Sequence, residues 1–271
     1  MRLPDPERVA AAMRQAAAAE VLPRFGRLAA SDISEKRPGE TVTAADTAAE
    51  AMLTRLLAEI APAQVIGEEG VESEPGLLAK LGGMEPLWIV DPVDGTDNFA
   101  KGDRRFGMIV AFAHEGETRA GWILDPLNDR IVWAVEGEGA WMNGERIAAT
   151  SPAPISELSG TLGKRTREKL ETRRSMGAKG LPLTVDRYGA IALEYLDLAR
   201  GKIAYMRCVG HLKPWDHAAG VLIHAEAGGY SALGDGEGAY RPAPPRTKDG
   251  TLILAPDRMS WESLSAAFAA L

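Results

Sequence analysis

The 271-residue chain is 45% hydrophobic and 25% charged, an ordinary globular composition that excludes disorder along its whole length. Lys and Arg number 31 against 38 Asp and Glu, giving a formal charge of −7 without a basic block, so no nucleic-acid partner is expected. Cys208 is the single cysteine and the four histidines are scattered, which excludes a disulfide framework and a Cys-rich or His-built zinc site.

The opening Leu3-Pro4-Asp5-Pro6-Glu7-Arg8 lacks the basic and apolar segments of a secretion signal, and no run reaches membrane-spanning length. A cytoplasmic protein without membrane contact is the expectation. Asp5 and Pro6 start a helix in which Val9, Met13, Ala16 and Ala17 recur at helical spacing. Thr43 to Asp46 has the form of a capping box, followed by a stripe of Ala49, Met52, Leu53, Leu56, Leu57 and Ile60 that ends before Pro62.

Short apolar runs then predict strands at Val65-Ile66, Leu87 to Val90, Met108 to Ala113, Ala120 to Leu124 and Ile131 to Val135. The turn residues at 114–117 and 125–129 predict antiparallel hairpins, and Gly137, Gly139 and Asn143-Gly144 close this first region. Beyond Pro152 and Pro154, strand and helix alternate. A strand near Thr161 precedes a polar helix from Thr166, a helix from Ala190 to Ala199 with Gly201 as its cap, and a strand from Ile203 to Met206. A helix from Trp215 to Ala227, closed by Gly228-Gly229, a strand at Leu252 to Leu254 and a helix capped by Ser260 finish the chain. The reading divides the chain into an α+β half over 1–150 and an α/β half over 151–271.

Chemistry concentrates where the apolar Trp88-Ile89-Val90 runs into Asp91-Pro92-Val93-Asp94-Gly95-Thr96-Asp97-Asn98-Phe99. Asp91 and Asp94 bracket a proline, so a turn is expected that lets both carboxylates and the Val93 carbonyl converge on one hard cation. Gly95 permits close backbone approach, leaving its N–H and that of Thr96 available to phosphate. Two further acidic segments accompany this one: Gly67-Glu68-Glu69-Gly70 after a strand, and Trp215-Asp216-His217-Ala218-Ala219-Gly220 opening a helix. Taken singly, Glu68 reads equally as a solvated loop acid, Asp216 as a helix cap and Asp46 as part of its capping box.

Together these segments resemble the inositol monophosphatase family of lithium-sensitive, Mg²⁺-dependent phosphatases, over nearly the whole chain. The resemblance rests on Gly67-Glu68-Glu69, on the long signature from Trp88 to Phe99, and on Trp215 to Gly220 leading to Glu226-Ala227-Gly228-Gly229. It implies a layered α-β-α-β-α sandwich of the α+β class, with the site between the halves, and a homodimer. Two or three Mg²⁺ ions are implied: Glu68, Asp91 and the Val93 carbonyl for the first, Asp91, Asp94 and Asp216 for the second, and a weaker third near Glu68. Thr96, assisted by Asp46 and with Glu68 in the catalytic set, would orient the attacking water. Asp94, Gly95, Thr96, Gly189, Ala190 and Asp216 would meet the substrate.

The carboxylates agree with that assignment on chemical grounds, because phosphoryl transfer needs neutralised oxygens, an in-line nucleophile and a stabilised leaving group, and oxygen ligands suit Mg²⁺ rather than zinc. A small phosphorylated polyol or sugar such as inositol 1-phosphate is the expected substrate. Fructose 1,6-bisphosphate, histidinol phosphate, a nucleotide 3′-phosphate and NADP are rivals, and a metal-bound regulatory or interaction protein is the reading from another class. The segment Met206 to Lys213 lacks the acid that in inositol phosphatases would bind ring hydroxyls, and Gly189-Ala190-Ile191-Ala192 departs from the family's usual segment. Arg207 and Lys213 could contact a second phosphate or an acidic substrate group, although either is more often a solvated cation; His217 reads as a helix-surface or interface residue, and Cys208 as a small buried side chain.

Overall fold

The computed structural model describes residues 2–234, 238–245 and 250–271. Asp5 caps α1 (Pro6–Ala16), its Oδ1 accepting from the Glu7 N–H at 3.0 Å. Next come an antiparallel hairpin, β1 (Ile33–Arg37) with β2 (Glu40–Thr43), and α2 (Ala44–Ile60). A seven-stranded sheet follows, assembled from β3 (Gln64–Gly67), β4 (Leu87–Asp94), β5 (Gly107–His114), β6 (Glu117–Asp125), β7 (Arg130–Val135), β8 (Gly139–Met142) and β9 (Glu145–Ile147) in that spatial order. β3 runs parallel to β4, and the remaining pairs are antiparallel. Two short helices, α3 (Glu68–Ser73) and α4 (Thr96–Ala100), leave the ends of β3 and β4.

The second sheet takes β10 (Ser159–Leu162), β11 (Leu183–Asp186), β12 (Tyr205–Gly210), β13 (Tyr230–Leu233) and β14 (Gly250–Ala255) in the order β11-β10-β12-β14-β13. α5 (Lys164–Ser175), α6 (Ile191–Ala199) and α7 (Pro214–Glu226) follow β10, β11 and β12 in turn, and α8 (Arg258–Ala269) follows β14. Period-two alternation within the large sheet explains the layering. Trp88, Val90, Met108, Val110 and Trp122 face α1 and α2, whereas Ile89, Ile109, Ala111 and Ile123 face α6 and α7. Tyr205, Ile253 and Ala255 of the small sheet meet Leu170 of α5 and Phe268 of α8 on its far face. The result is the α-β-α-β-α sandwich, and strands covered on both faces account for their continuous apolar runs.

Close approach of α7 depends on its small residues. A Cβ at Gly121 of β6 would lie 2.7 Å from the Ala219 Cα, and one at Gly220 would lie 2.4 Å from the Tyr195 ring of α6. The expected hairpins are present, and Asn143-Gly144, both at positive φ, joins β8 to β9 rather than merely ending a region.

Other expectations are corrected. Pro92 does not turn the chain, because β4 continues to Asp94 through an irregularity between Asp91 and Asp94. β3 pairs with β4 only as far as Val90 and the register with β5 is broken between Asp91 and Asp94, so Pro92 sits where the ladder is interrupted on both sides. The β12 strand begins at Tyr205 and runs to Gly210, later than the apolar run suggested, its far end carried by pairing with β14. Asp257, not Ser260, caps α8, and its Oδ1 accepts from the Ser260 N–H at 2.7 Å.

Candidate active site

The first turns of α2 and α4 are joined to each other, and those of α3 and α7 approach through Glu68 and Lys213. The start of α6 is bonded to the end of β4, so residues singled out in the sequence are gathered from separate elements. Thr43 begins α2: its N–H and hydroxyl donate to Asp46 Oδ2 at 2.9 and 2.5 Å, so the capping box exists. The other carboxylate oxygen of Asp46 accepts from the Thr96 hydroxyl at 2.9 Å. Cap and site contact are thus made by one side chain. Asp46 is 1% exposed, and burial pushes its carboxyl above the usual range against the hydrogen bonds from Thr43 and Thr96.

The end of β4 supplies Asp91, Val93 and Asp94, all buried. Asp94 Oδ2 accepts from the Ala192 N–H at 2.6 Å, an acid placed at the favourable N-terminus of α6. Gly95 takes φ +86°, and a Cβ there would lie 2.7 Å from the Ala190 Cβ and 3.1 Å from the Gly189 carbonyl. Only glycine lets these two backbones touch. Asn98 fastens the same junction, its Nδ2 donating to the carbonyls of Arg105 at 2.8 Å and Tyr188 at 3.0 Å. Gly189 and Ala190 therefore lie beside Gly95 and Thr96.

Asp216 stands in the first turn of α7. Burial, then Glu68 and Asp94, hold its carboxyl well above the usual range, while burial, then Glu68, Asp94 and Asp216, do the same for Asp91. Asp94 is pushed up to about 7 by burial against the Ala192 hydrogen bond. These carboxylates crowd one another in a low-dielectric setting.

Glu68 is the first residue of α3, not a loop acid, and its Oε1 accepts from Lys213 Nζ at 3.1 Å with Lys36 Nζ 3.8 Å away. Lys36 in turn reaches Glu69 at 2.5 Å. Among the described residues, no three acid, His or Cys side chains close around one point tightly enough to hold an ion as they stand. The donor set nevertheless suits a hard cation. Asp91 is 2% exposed and accepts from the Val93 N–H at 3.2 Å, leaving most of its acceptor capacity open beside other carboxylates.

A cavity of about 400 Å³ opens onto Asp94, Ala190 and Asp216, with Arg187, His211 and Lys213 on its wall. The sequence reading missed Arg187, whose position two residues before Gly189 was the available signal. Its Nε pairs with Glu194 at 3.0 Å and an Nη donates to the Arg207 carbonyl at 3.2 Å. Arg207 itself faces away, 5.5 Å from the Phe268 ring and bonded to Thr166 at 3.1 Å, because neighbouring strand residues point to opposite faces. Lys213 is no solvated cation either, being held against Glu68. His217 is 3% exposed and bonded to the Tyr195 hydroxyl at 3.0 Å rather than lying on the surface, and burial, then Arg187, push its imidazole down to about 3. Cys208 is buried as expected.

The inositol monophosphatase family model matches residues 5–270. The fructose-1,6-bisphosphatase/inositol-1-monophosphatase of Thermotoga maritima is 31% identical over 206 residues, covering 73% of this chain and 74% of that protein. Nus factor SuhB of Escherichia coli K12 is 30% identical over 207 residues, covering 74% of each chain. Among solved structures, the Thermotoga maritima IMPase TM1415 superposes with a TM-score of 0.76 at 26% identity, covering 96% of this chain and 95% of that one. A match spanning nearly the whole chain, carried by the same fold, shows that the protein belongs to the inositol monophosphatase family and with it to the phosphoric monoester hydrolases.

Proposed function

We propose that the protein hydrolyses a small phosphorylated polyol or sugar, inositol 1-phosphate being the reference substrate, with two or three Mg²⁺ ions. The observation that carries this is that Asp94 and Asp216 line the cavity while buried Asp91 crowds against both of them and against Asp46, which is bonded to Thr96. Asp91, Asp94, Asp216, Glu68 and the Val93 carbonyl would hold the metal. Bound there, Mg²⁺ supplies charge neutralisation and a more acidic water.

The chain's own residues supply orientation. Thr96 Oγ1, 2.9 Å from both Asp46 Oδ1 and the Val93 carbonyl, has its hydroxyl proton committed to one of these acceptors and its lone pairs free to position water. Asp46 is placed to accept a proton relayed through that hydroxyl. The N–H groups around Gly95 and Ala190, beside the N-terminus of α6, favour the phosphate's negative charge. Glu68, swinging from Lys213, would complete the catalytic set.

Fructose 1,6-bisphosphate stands as the second substrate class, favoured by Arg187 and Lys213 on the cavity wall and by the name of the Thermotoga maritima relative. Histidinol phosphate, nucleotide 3′-phosphates and NADP complete the comparison. The relative named Nus factor SuhB motivates a regulatory reading alongside catalysis. A Mg²⁺-dependent phosphate-release screen over these compounds discriminates: turnover of at least one establishes the enzyme, whereas metal binding with no turnover on any of them leaves the interaction protein.

A further inference from the structure

Glu50 lies one helical turn after Asp46 on α2, so the two acids face the site from one helix. It is 9% exposed, and its carboxylate grips the first turn of α3: Oε2 accepts from the Glu69 N–H at 2.9 Å and Oε1 from the Gly70 N–H at 2.7 Å. The α3 helix has only six residues, and Gly67 at its N-cap offers no side-chain acceptor. So short a helix cannot order its own first turn. Space for the carboxylate is cut into the backbone, since a Cβ at Gly67 would lie 2.2 Å from the Glu50 carboxyl carbon and one at Gly70 3.2 Å from its Oε1. Among the described residues the carboxylate makes no ion pair, so backbone N–H groups are what match it.

We infer that Glu50 is a positioning residue: it caps α3 from a different helix and thereby fixes the backbone from which Glu68 reaches the metal-binding carboxylates. The inference rests on the metal-dependent phosphatase reading. Two glycines of the Gly67-Glu68-Glu69-Gly70 segment are then explained as clearance for a second acid, and not by the metal itself.

The test follows Mg²⁺ by two readouts, the concentration giving half-maximal phosphate release and the concentration giving half of the Mg²⁺-induced rise in Tm. Glu50→Gln, which turns one acceptor into an N–H facing another N–H, should raise both about tenfold, the effect of losing one charge-assisted hydrogen bond. Gly70→Ala guards against misfolding of that variant, because it favours the helix while pressing a methyl on Glu50. It should raise both concentrations severalfold without lowering the Tm in chelator. A merely structural Glu50 would lower Tm equally at every Mg²⁺ concentration and leave both midpoints where they are, which overturns the inference. A parental protein with no Mg²⁺ response by either readout overturns the metal reading first, and the inference with it.

Discussion

Asp46 and Thr96, fifty residues apart in the chain, are joined by a 2.9 Å hydrogen bond that ties the cap of α2 to the start of α4. Replacing Thr96 by alanine removes the hydroxyl and leaves Asp46 still bonded to Thr43. We expect kcat to fall between about 10² and 10⁴ fold, the usual contribution of a positioned proton-transfer group. Thr96→Ser should recover most of it, with Tm little changed in both. Phosphate release and thermal unfolding measure this, and a Thr96→Ala protein keeping more than about a tenth of parental turnover would remove the hydroxyl from the mechanism.

Asp91 sits among Glu68, Asp94 and Asp216 with its charge desolvated. Asp91→Asn should abolish turnover while the Tm measured in chelator holds or rises, because a repelling charge leaves the cluster. A variant that loses activity together with several degrees of metal-free stability would mark Asp91 as structural.

His224 is 2% exposed, its Nε2 bonded to the Ala255 carbonyl at 2.9 Å, and burial pushes it down to about 4 from the ordinary 6.5. A depressed histidine binds its proton more readily in the unfolded chain, so its contribution is fully present above pH 6.5 and is lost as pH falls toward 4. Over that window the parental protein should lose roughly 3 kcal/mol relative to His224→Gln. Denaturant melts of both proteins across the range give the difference directly; parallel curves would show that the imidazole takes up its proton as readily in the fold as in the unfolded chain.

Lys213 lines the cavity and Arg207 does not. With fructose 1,6-bisphosphate, Lys213→Ala should raise KM about 10-fold, as for one lost charge-assisted hydrogen bond. Arg207→Ala should leave it unchanged and act on stability alone. On neutral leaving groups, the absence of an acid in the Met206 to Lys213 segment should keep kcat/KM for inositol 1-phosphate within about two orders of magnitude of glycerol 2-phosphate. Equal sensitivity of KM to both substitutions would mean that Arg207 reaches the substrate after all.

Inhibition by Li⁺ and by excess Mg²⁺ is expected if a weakly held ion near Glu68 must leave with product. Lys213 and Lys36 already compete for that carboxylate, which keeps such an ion loosely bound. Titrations of each ion against initial rate test this; flat rates across both would exclude a third site.

Much of this protein is local information. Apolar runs bounded by Gly, Pro and Asp located most of the strands, the capping box located α2, and the segment from Trp88 to Phe99 marked the strand end that carries Asp91 and Asp94, because burial period and turn chemistry are written in adjacent residues. What only the tertiary structure decided involves residues far apart in sequence whose neighbours are set by packing. Asp46 is both the cap of α2 and the hydrogen-bond partner of Thr96 because Thr96 is folded onto it, and Glu50, with no motif of its own, became visible only when α3 was seen seated on its carboxylate. Arg187 and Arg207 could not be told apart as chain cations. Arg187 reaches the cavity from the segment just beyond β11, whereas Arg207 is kept from it by its strand face on β12, and the two-residue period distinguishes faces only once the sheet's neighbours on each side are known.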